Sequence, residues 1–196
     1  FLNIPFIFEY KMKKHDFIEI EYTGYLEDNT VFDTTYEDVA KKNNLQNKNT
    51  KFGPAVICIG ENHILPGIEK EIIGKQPGKF EVSLEPEDAF GKKSSKMLKL
   101  MPMKLFKKEN VQPMVGLEVN IDDAYGIVRS VSGGRVIVDF NHPLSGRKVR
   151  YDLKVNKLVA DSLEKCKAIF KNELNLSDMK LEVKESTLVV NEDKFP

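Results

Sequence analysis

The stretch Cys58-Ile59-Gly60-Glu61-Asn62-His63-Ile64-Leu65-Pro66-Gly67-Ile68-Glu69-Lys70-Glu71-Ile72-Ile73-Gly74 decides how the rest of the chain is read. An extended apolar run ends at Gly60, and Ile64 and Leu65 then sit on a turn closed by Pro66 and Gly67. Ile68, Ile72 and Ile73 follow at helical spacing, and Gly74 suits the stop position. Strand, apolar loop and short helix in so few residues predict a hydrophobic floor under an open face. From these residues alone that floor is either a site or plain core.

Upstream, Phe17-Ile18-Glu19-Ile20-Glu21-Tyr22-Thr23-Gly24-Tyr25-Leu26 alternates apolar and polar residues, the pattern of a half-buried strand. After the turn cluster Glu27-Asp28-Asn29-Thr30, the chain extends again through Val31-Phe32-Asp33-Thr34. Asp33 at that strand end is either a turn residue or a carboxylate lining a pocket. Residues 36–51 read as a polar surface excursion with helical character over 38–42, and 55–59 form the strand entering the opening stretch. Downstream, 79–84 alternate once more, and Glu85-Pro86-Glu87-Asp88-Ala89-Phe90-Gly91 is an acidic loop.

Composition shifts at residue 92. Residues 92–108 are basic and hold Met97, Met101 and Met103, with Pro102 suited to open a short helix through 108. Three strand-like runs follow, over 117–121, 126–131 and 135–140, the last two joined by the tight turn Ser132-Gly133-Gly134. The turn Asn141-His142-Pro143-Leu144-Ser145-Gly146 leads to an alternating run, 149–155, that returns to the first sheet. Beyond 159, Leu163, Cys166, Phe170 and Leu174 form an apolar helical stripe with Asp161 or Ser162 as cap, and 180–184 and 187–190 read as short strands. So thin a tail docks on the rest of the chain, pairs with a second copy as a homodimer, or belongs to a longer domain.

The 196 residues, 41% hydrophobic and 31% charged, describe a globular chain, and 30 basic against 30 acidic residues leave no net field for nucleic acid. Two distant cysteines, Cys58 and Cys166, argue against a disulfide framework and a zinc site and fit a reducing cytoplasm. No run reaches the roughly 18 apolar residues of a membrane span. Residues 1–11 are expected to be an extension of unknown origin rather than a targeting signal, because the apolar 1–8 run is short, broken by Pro5 and without a basic start. Nucleophile-elbow, phosphate-loop, dinucleotide and zinc-protease patterns are all absent. His15, His63 and His142 lack companions at metal spacing and read as structural or surface residues, so neither metal nor cofactor is expected. What stands out is an apolar floor with aromatic walls at Tyr22, Phe32, Phe90 and Tyr151.

The order of the motifs Ile20-Glu21-Tyr22-Thr23-Gly24-Tyr25-Leu26, Val31-Phe32-Asp33-Thr34, Ile59 through Glu69, and Glu87-Asp88-Ala89-Phe90-Gly91 resembles the FK506-binding-protein type of peptidyl-prolyl isomerase. Asn141 through Tyr151 is similar to the return segment of the SlyD-like group, and the resemblance covers about residues 14–158. It implies an α+β fold, a bent antiparallel sheet around a short helix over 68–73, with an inserted β-rich insert-in-flap domain and a C-terminal αβ tail like that of long archaeal members. The expected division is 12–96 with 143–158 for the isomerase domain, 97–142 for the insert and 159–196 for the extension.

By the same resemblance Tyr22, Phe32, Asp33, Ile64, Leu65 and Tyr151 form the catalytic pocket, Ile57, Ile68 and Phe90 complete it, and the Leu65 N–H holds the peptide. Ile68 stands where many relatives have tryptophan, Phe90 lacks the hydroxyl of the usual loop tyrosine, and no aromatic stands at Ala55. These departures imply a shallower floor and slower turnover. The histidine-rich nickel-binding tail of bacterial members is absent, so nickel handling is not implied. Met97, Leu100, Met101, Met103, Leu105 and Phe106 are expected to give the insert a sticky face for unfolded chains. The implied function is isomerisation of X–Pro bonds with chaperone activity, acting on unfolded or proline-containing polypeptides without nucleic acid or membrane. The alternatives are a holdase with a decayed pocket and a module that binds a proline segment of one partner.

Overall fold

In the computed structural model, which describes residues 10–46, 51–176, 181–184 and 187–190, the alternating run becomes strand β1 (Phe17–Leu26). Ile18 and Ile20 are fully buried on its inner face, while Glu19 and Glu21 on the other face meet Lys157 and Lys154, both at 3.6 Å. β1 pairs antiparallel with β2 (Val31–Thr34), β3 (Ala55–Cys58) and β9 (Val149–Leu158). β4 (Lys79–Leu84) lies on the far side of β9. The order is β2-β1-β9-β4, with β3 also beside β1. Register shifts at Glu19/Ile20 and Gly24/Tyr25 put bulges into the central pairings, which bend the sheet. A short helix, α1 (Glu37–Lys42), occupies the excursion after β2.

The bent face closes on α2 (Pro66–Ile72), whose first residue gives up an N–H that would have no helical partner. Ile68 and Ile72 are completely buried in a core shared with Ile18, Ile20, Ile59, Val82 and Leu84. Gly67 makes the close approach possible, since a Cβ there would lie 2.6 Å from Leu84 Cδ2 and 2.7 Å from the Asp88 carbonyl oxygen. The expected apolar stripe is one residue too long. Ile73 caps the helix in an extended conformation and is 43% exposed. Gly74 has the expected positive φ of 80°, yet its N–H leaves the helix for the Met12 carbonyl at 2.7 Å. Met12, whose N–H donates to Lys75 O at 2.8 Å, is 1% exposed and is a core residue that no periodicity announced.

The chain divides into two compact units, Phe1–Ala89 with Lys148–Pro196, and Phe90–Arg147. The second has a four-stranded antiparallel sheet in the order β5-β8-β7-β6, formed by β5 (Leu98–Pro102), β6 (Glu118–Ile121), β7 (Ala124–Ser132) and β8 (Arg135–Asp139). β5 is a correction to the sequence reading, in which lysines and methionines hid a strand. It ends at Pro102, and helix α3 (Met103–Lys108) starts one residue later than the proline suggested. Gly133 and Gly134, at φ 55° and 73°, make the tight β7–β8 turn. Phe106, Val128, Val136 and Val138 form this unit's buried core. Its two chain ends are stitched by Gly146 N–H to Gly91 O (2.8 Å) and by Asn141, which accepts from Ser94 N–H (2.8 Å) and donates to Ser94 O (3.1 Å).

In the first unit, α4 (Ser162–Leu174) follows β9, with Asp161 accepting from Glu164 N–H at 2.7 Å. It packs on β3. The expected stripe is narrower than drawn: Ala168 is the helix's buried residue, Leu163, Cys166 and Phe170 are half-buried, and Leu174 is 55% exposed. β10 (Leu181–Lys184) and β11 (Thr187–Val190) pair antiparallel. The readings made for residues 1–9, 47–50 and Lys180 lie outside the described residues. Among those described, no helix is long and apolar enough to cross a membrane.

Phe106→Ala empties the small core of the second unit at a cost of about 3–5 kcal/mol. Amide exchange in β7 and β8 should accelerate sharply while exchange in β1 and β9 holds; equal acceleration in both would contradict separate cores.

Candidate active site

β1, β2 and β9 bring Tyr22, Phe32, Asp33 and Tyr151 together, because Gly24 is registered opposite both Asp33 and Tyr151. Gly24 has no side chain for a physical reason: a Cβ would meet Phe32 Cζ at 2.8 Å and Tyr151 Cε1 at 3.0 Å. Tyr151 receives Tyr22 at 5.8 Å and 62° between ring planes, and Phe32 at 5.7 Å and 89°. Such edge contacts set ring edges against ring faces. The Tyr22 hydroxyl donates to Asp33 Oδ2 at 3.1 Å. The Asp33 carboxylate thereby joins this aromatic group.

Burial raises the Asp33 carboxyl above its ordinary range, with the Tyr22 hydroxyl and the Thr34 backbone pulling the other way. Burial first, then the Asp33 charge, holds both the Tyr22 and Tyr151 phenols far up, so neither ionises near neutrality. The group is therefore an apolar cup with one fixed dipole. It contains no activated nucleophile, and its chemistry is confined to binding and polarising.

Solvent reaches Tyr22, Phe32, Asp33, Ile64 and Leu65, all half-buried. Tyr151 at 3%, Ile57 at 4% and Ile68 at 0% exposure are buried. Ile57 ends up in the core through β3, and Ile68 through α2, one turn from Ile72. Leu65 is the N-cap of α2, and its carbonyl accepts from Ile68 and Glu69. Its N–H meets no acceptor among the described residues. Phe90 belongs to the second unit, where its ring stacks on His142 at 4.7 Å and 1° and its carbonyl accepts from Ser145 Oγ at 2.9 Å.

Several residues that hold the turn were not foreseen. Glu69, 8% exposed, accepts from Gly60 N–H at 2.9 Å. The His63 side chain, 4% exposed, takes Cys58 N–H on Nδ1 at 3.1 Å. Both lie inside the opening stretch, and a carboxylate among isoleucines was the available signal. The ligand atoms of His15, Cys58 and Glu61 lie within 4.8 Å of one another, a grouping that sequence distance concealed. There His15 Nδ1 and Glu61 Oε1 satisfy each other at 3.0 Å.

In the second unit Leu100 is 61%, Leu105 41% and Met97 40% exposed, with Leu98 at 45%. Phe106 is corrected from sticky face to core at 5%, and Met101 and Met103 are half-buried against it, because a four-strand unit needs large side chains to close its interior.

A sequence model described as FKBP-type peptidyl-prolyl cis-trans isomerase matches residues 9–107, and one described as FKBP26, IF domain matches 99–144. The chain is similar to the short-type peptidyl-prolyl cis-trans isomerase of Methanocaldococcus jannaschii, 27% identical over 145 residues that cover 74% of this chain and 92% of the relative. It is 31% identical to the FKBP-type 16 kDa isomerase of Escherichia coli over 108 residues, 52% of this chain and 72% of that one. To the SlyD isomerase of Vibrio cholerae it is 29% identical over 136 residues, 66% and 67% of the two chains. The chain belongs to the FKBP-type peptidyl-prolyl cis-trans isomerases, in the SlyD-like form that carries an insert-in-flap domain.

Proposed function

We propose that the cup of Tyr22, Phe32, Asp33 and Tyr151, with Ile64 and Leu65 at its edge, receives the prolyl ring and lowers the barrier to X–Pro rotation. The observation that carries this reading is the Tyr22 hydroxyl fixed on Asp33 at 3.1 Å inside an aromatic group. The uncatalysed barrier is about 18–20 kcal/mol because amide resonance must be broken, and relaxation takes roughly 10–100 s. No covalent bond to the protein is needed. In the twisted amide the carbonyl loses conjugation and carries less charge, so a dry apolar surface favours it over the planar form. The Leu65 N–H holds the peptide backbone, and Asp33 orients Tyr22 beside the rotating carbonyl. Ile68 and Tyr151, both buried, back the cup.

The second unit binds unfolded chains through Met97, Leu98, Leu100 and Leu105 and raises the local concentration of their prolines at the cup. Residues 97–142 act as this chaperone domain, and 12–96 with 143–158 as the isomerase. The free cysteines Cys58 and Cys166 support a cytoplasmic setting. Clients are polypeptides rather than nucleic acid or membrane, and α4 offers Ile169 and Leu174 to a second copy, which sedimentation would reveal as dimer. A holdase with little isomerase activity is the second reading, favoured by Phe90, which brings no hydroxyl. Activity on a proline tetrapeptide in a protease-free assay decides between them; an inactive protein that still suppresses aggregation establishes the holdase.

Phe32→Ala should lower kcat/KM on that peptide at least about tenfold, equivalent to 1.4 kcal/mol. Asp33→Asn should lose activity and gain thermal stability at neutral pH. Its folded pKa is raised, so the ionised carboxylate costs stability once the pH exceeds the unfolded value. The gain should fade as the pH falls toward the ordinary carboxylate range, and a constant or inverted gain would refute the burial argument. Replacing residues 97–142 by a short glycine linker should leave tetrapeptide turnover near wild type and slow catalysed refolding of a proline-limited protein about a hundredfold. Equal losses on both substrates would contradict the division of labour.

A further inference from the structure

We propose that α4 is a positioning element of the isomerase site, acting through His63 on the strand end and turn that carry Ile57, Ile64 and Leu65; the inference rests on the reading of that turn as the substrate edge. His63 directly precedes Ile64, and its side chain is only 4% exposed although its neighbours Glu61 and Asn62 are exposed. Because Nδ1 accepts the Cys58 N–H, the ring proton sits on Nε2, and Nε2 donates to Glu173 Oε1 at 2.7 Å. The preceding residue, Asn172, places its amide nitrogen 3.2 Å from His63 Nδ1 and donates to the Val56 carbonyl at 3.0 Å.

Two successive residues at the end of α4 therefore hold both parts of the edge. Ile57 lies between the two backbone groups so engaged, the Val56 carbonyl and the Cys58 N–H. Among the described residues β3 pairs with β1 alone, so its other edge has no strand to take its backbone groups. Asn172 supplies a donor that a neighbouring strand would have given. The start of the helix is anchored independently: Val159 N–H donates to Phe17 O at 2.8 Å, Lys165 Nζ stands 5.6 Å over the Phe17 ring, and Lys157 reaches Glu164 at 3.8 Å. With both ends fixed, the helix braces the turn. His63, Asn172 and Glu173 are positioning residues, and the C-terminal extension is part of the enzyme.

The test uses the full chain and the proline tetrapeptide. N172A/E173A should lower kcat/KM about fivefold to tenfold, mostly through KM, because it loosens the turn that grips the peptide. Both side chains are exposed, so the melting temperature should barely move. Glu173→Gln keeps an oxygen acceptor for the Nε2 proton and should restore most of the E173A loss. His63→Ala should show at least the deficit of E173A, and combining the two no further one, because Glu173 acts through the imidazole alone. Amide shifts of Ile64 and Leu65 should move in N172A/E173A and return toward wild type in E173Q. An N172A/E173A enzyme within about twofold of wild type, or losses that multiply in H63A/E173A, overturns the proposal. If the wild type is inactive, the functional reading fails, and the amide shifts still decide the coupling: unmoved shifts overturn it.

Discussion

The burial of Ile68 and Ile72 against the bent sheet is the constraint on which the isomerase unit depends. A helix as short as Pro66–Ile72 is not stable by itself, since nucleation costs more than so few bonds return. It exists because two isoleucines lose all contact with water and Gly67 lets the backbone close on Leu84 and Asp88. Everything the site needs hangs from that contact. Leu65 becomes the N-cap, its own N–H without an acceptor among the described residues, and Glu69 turns inward to catch Gly60. The turn between them is thereby drawn tight.

Much of this was legible in the sequence, because alternation and helical spacing report directly on which face is buried. The strands β1, β2, β4 and β9, the helix α2 and the turn at Gly133-Gly134 follow from periodicity and turn chemistry. The aromatic group followed from motif resemblance, and its geometry is what packing added. What periodicity could not supply were residues whose partners are distant in sequence. Met12 is core because its backbone is captured by residues 74 and 75. His63 is buried because α4, more than a hundred residues later, covers it. Ile73 and Leu174 were overcalled for the opposite reason: a helical stripe says where a face points and not where its partner ends.

The second unit shows how composition alone divides ambiguously. Six apolar residues of the Met-rich segment looked alike, yet a small sheet with one short helix needs Phe106, Met101 and Met103 for its own interior. Leu100, Leu105 and Met97 are what remains outside. A unit of this size cannot cover all of its large side chains. The exposed remainder is at once the weakness of the small fold and the surface that an unfolded client could use.

The stitch between Gly91 and Gly146, reinforced by Asn141 and Ser94, has an evolutionary consequence. The inserted unit leaves and re-enters through backbone groups a single hydrogen bond apart. To the host sheet it is equivalent to a tight loop, whatever its interior contains, and loop closure becomes steadily less sensitive to added length. An ancestral isomerase could therefore have acquired this unit, lengthened it or exchanged its client-facing residues without renegotiating the core. The aromatic group of the sheet and the exposed apolar residues of the inserted unit are then free to change at different rates, each under its own demands.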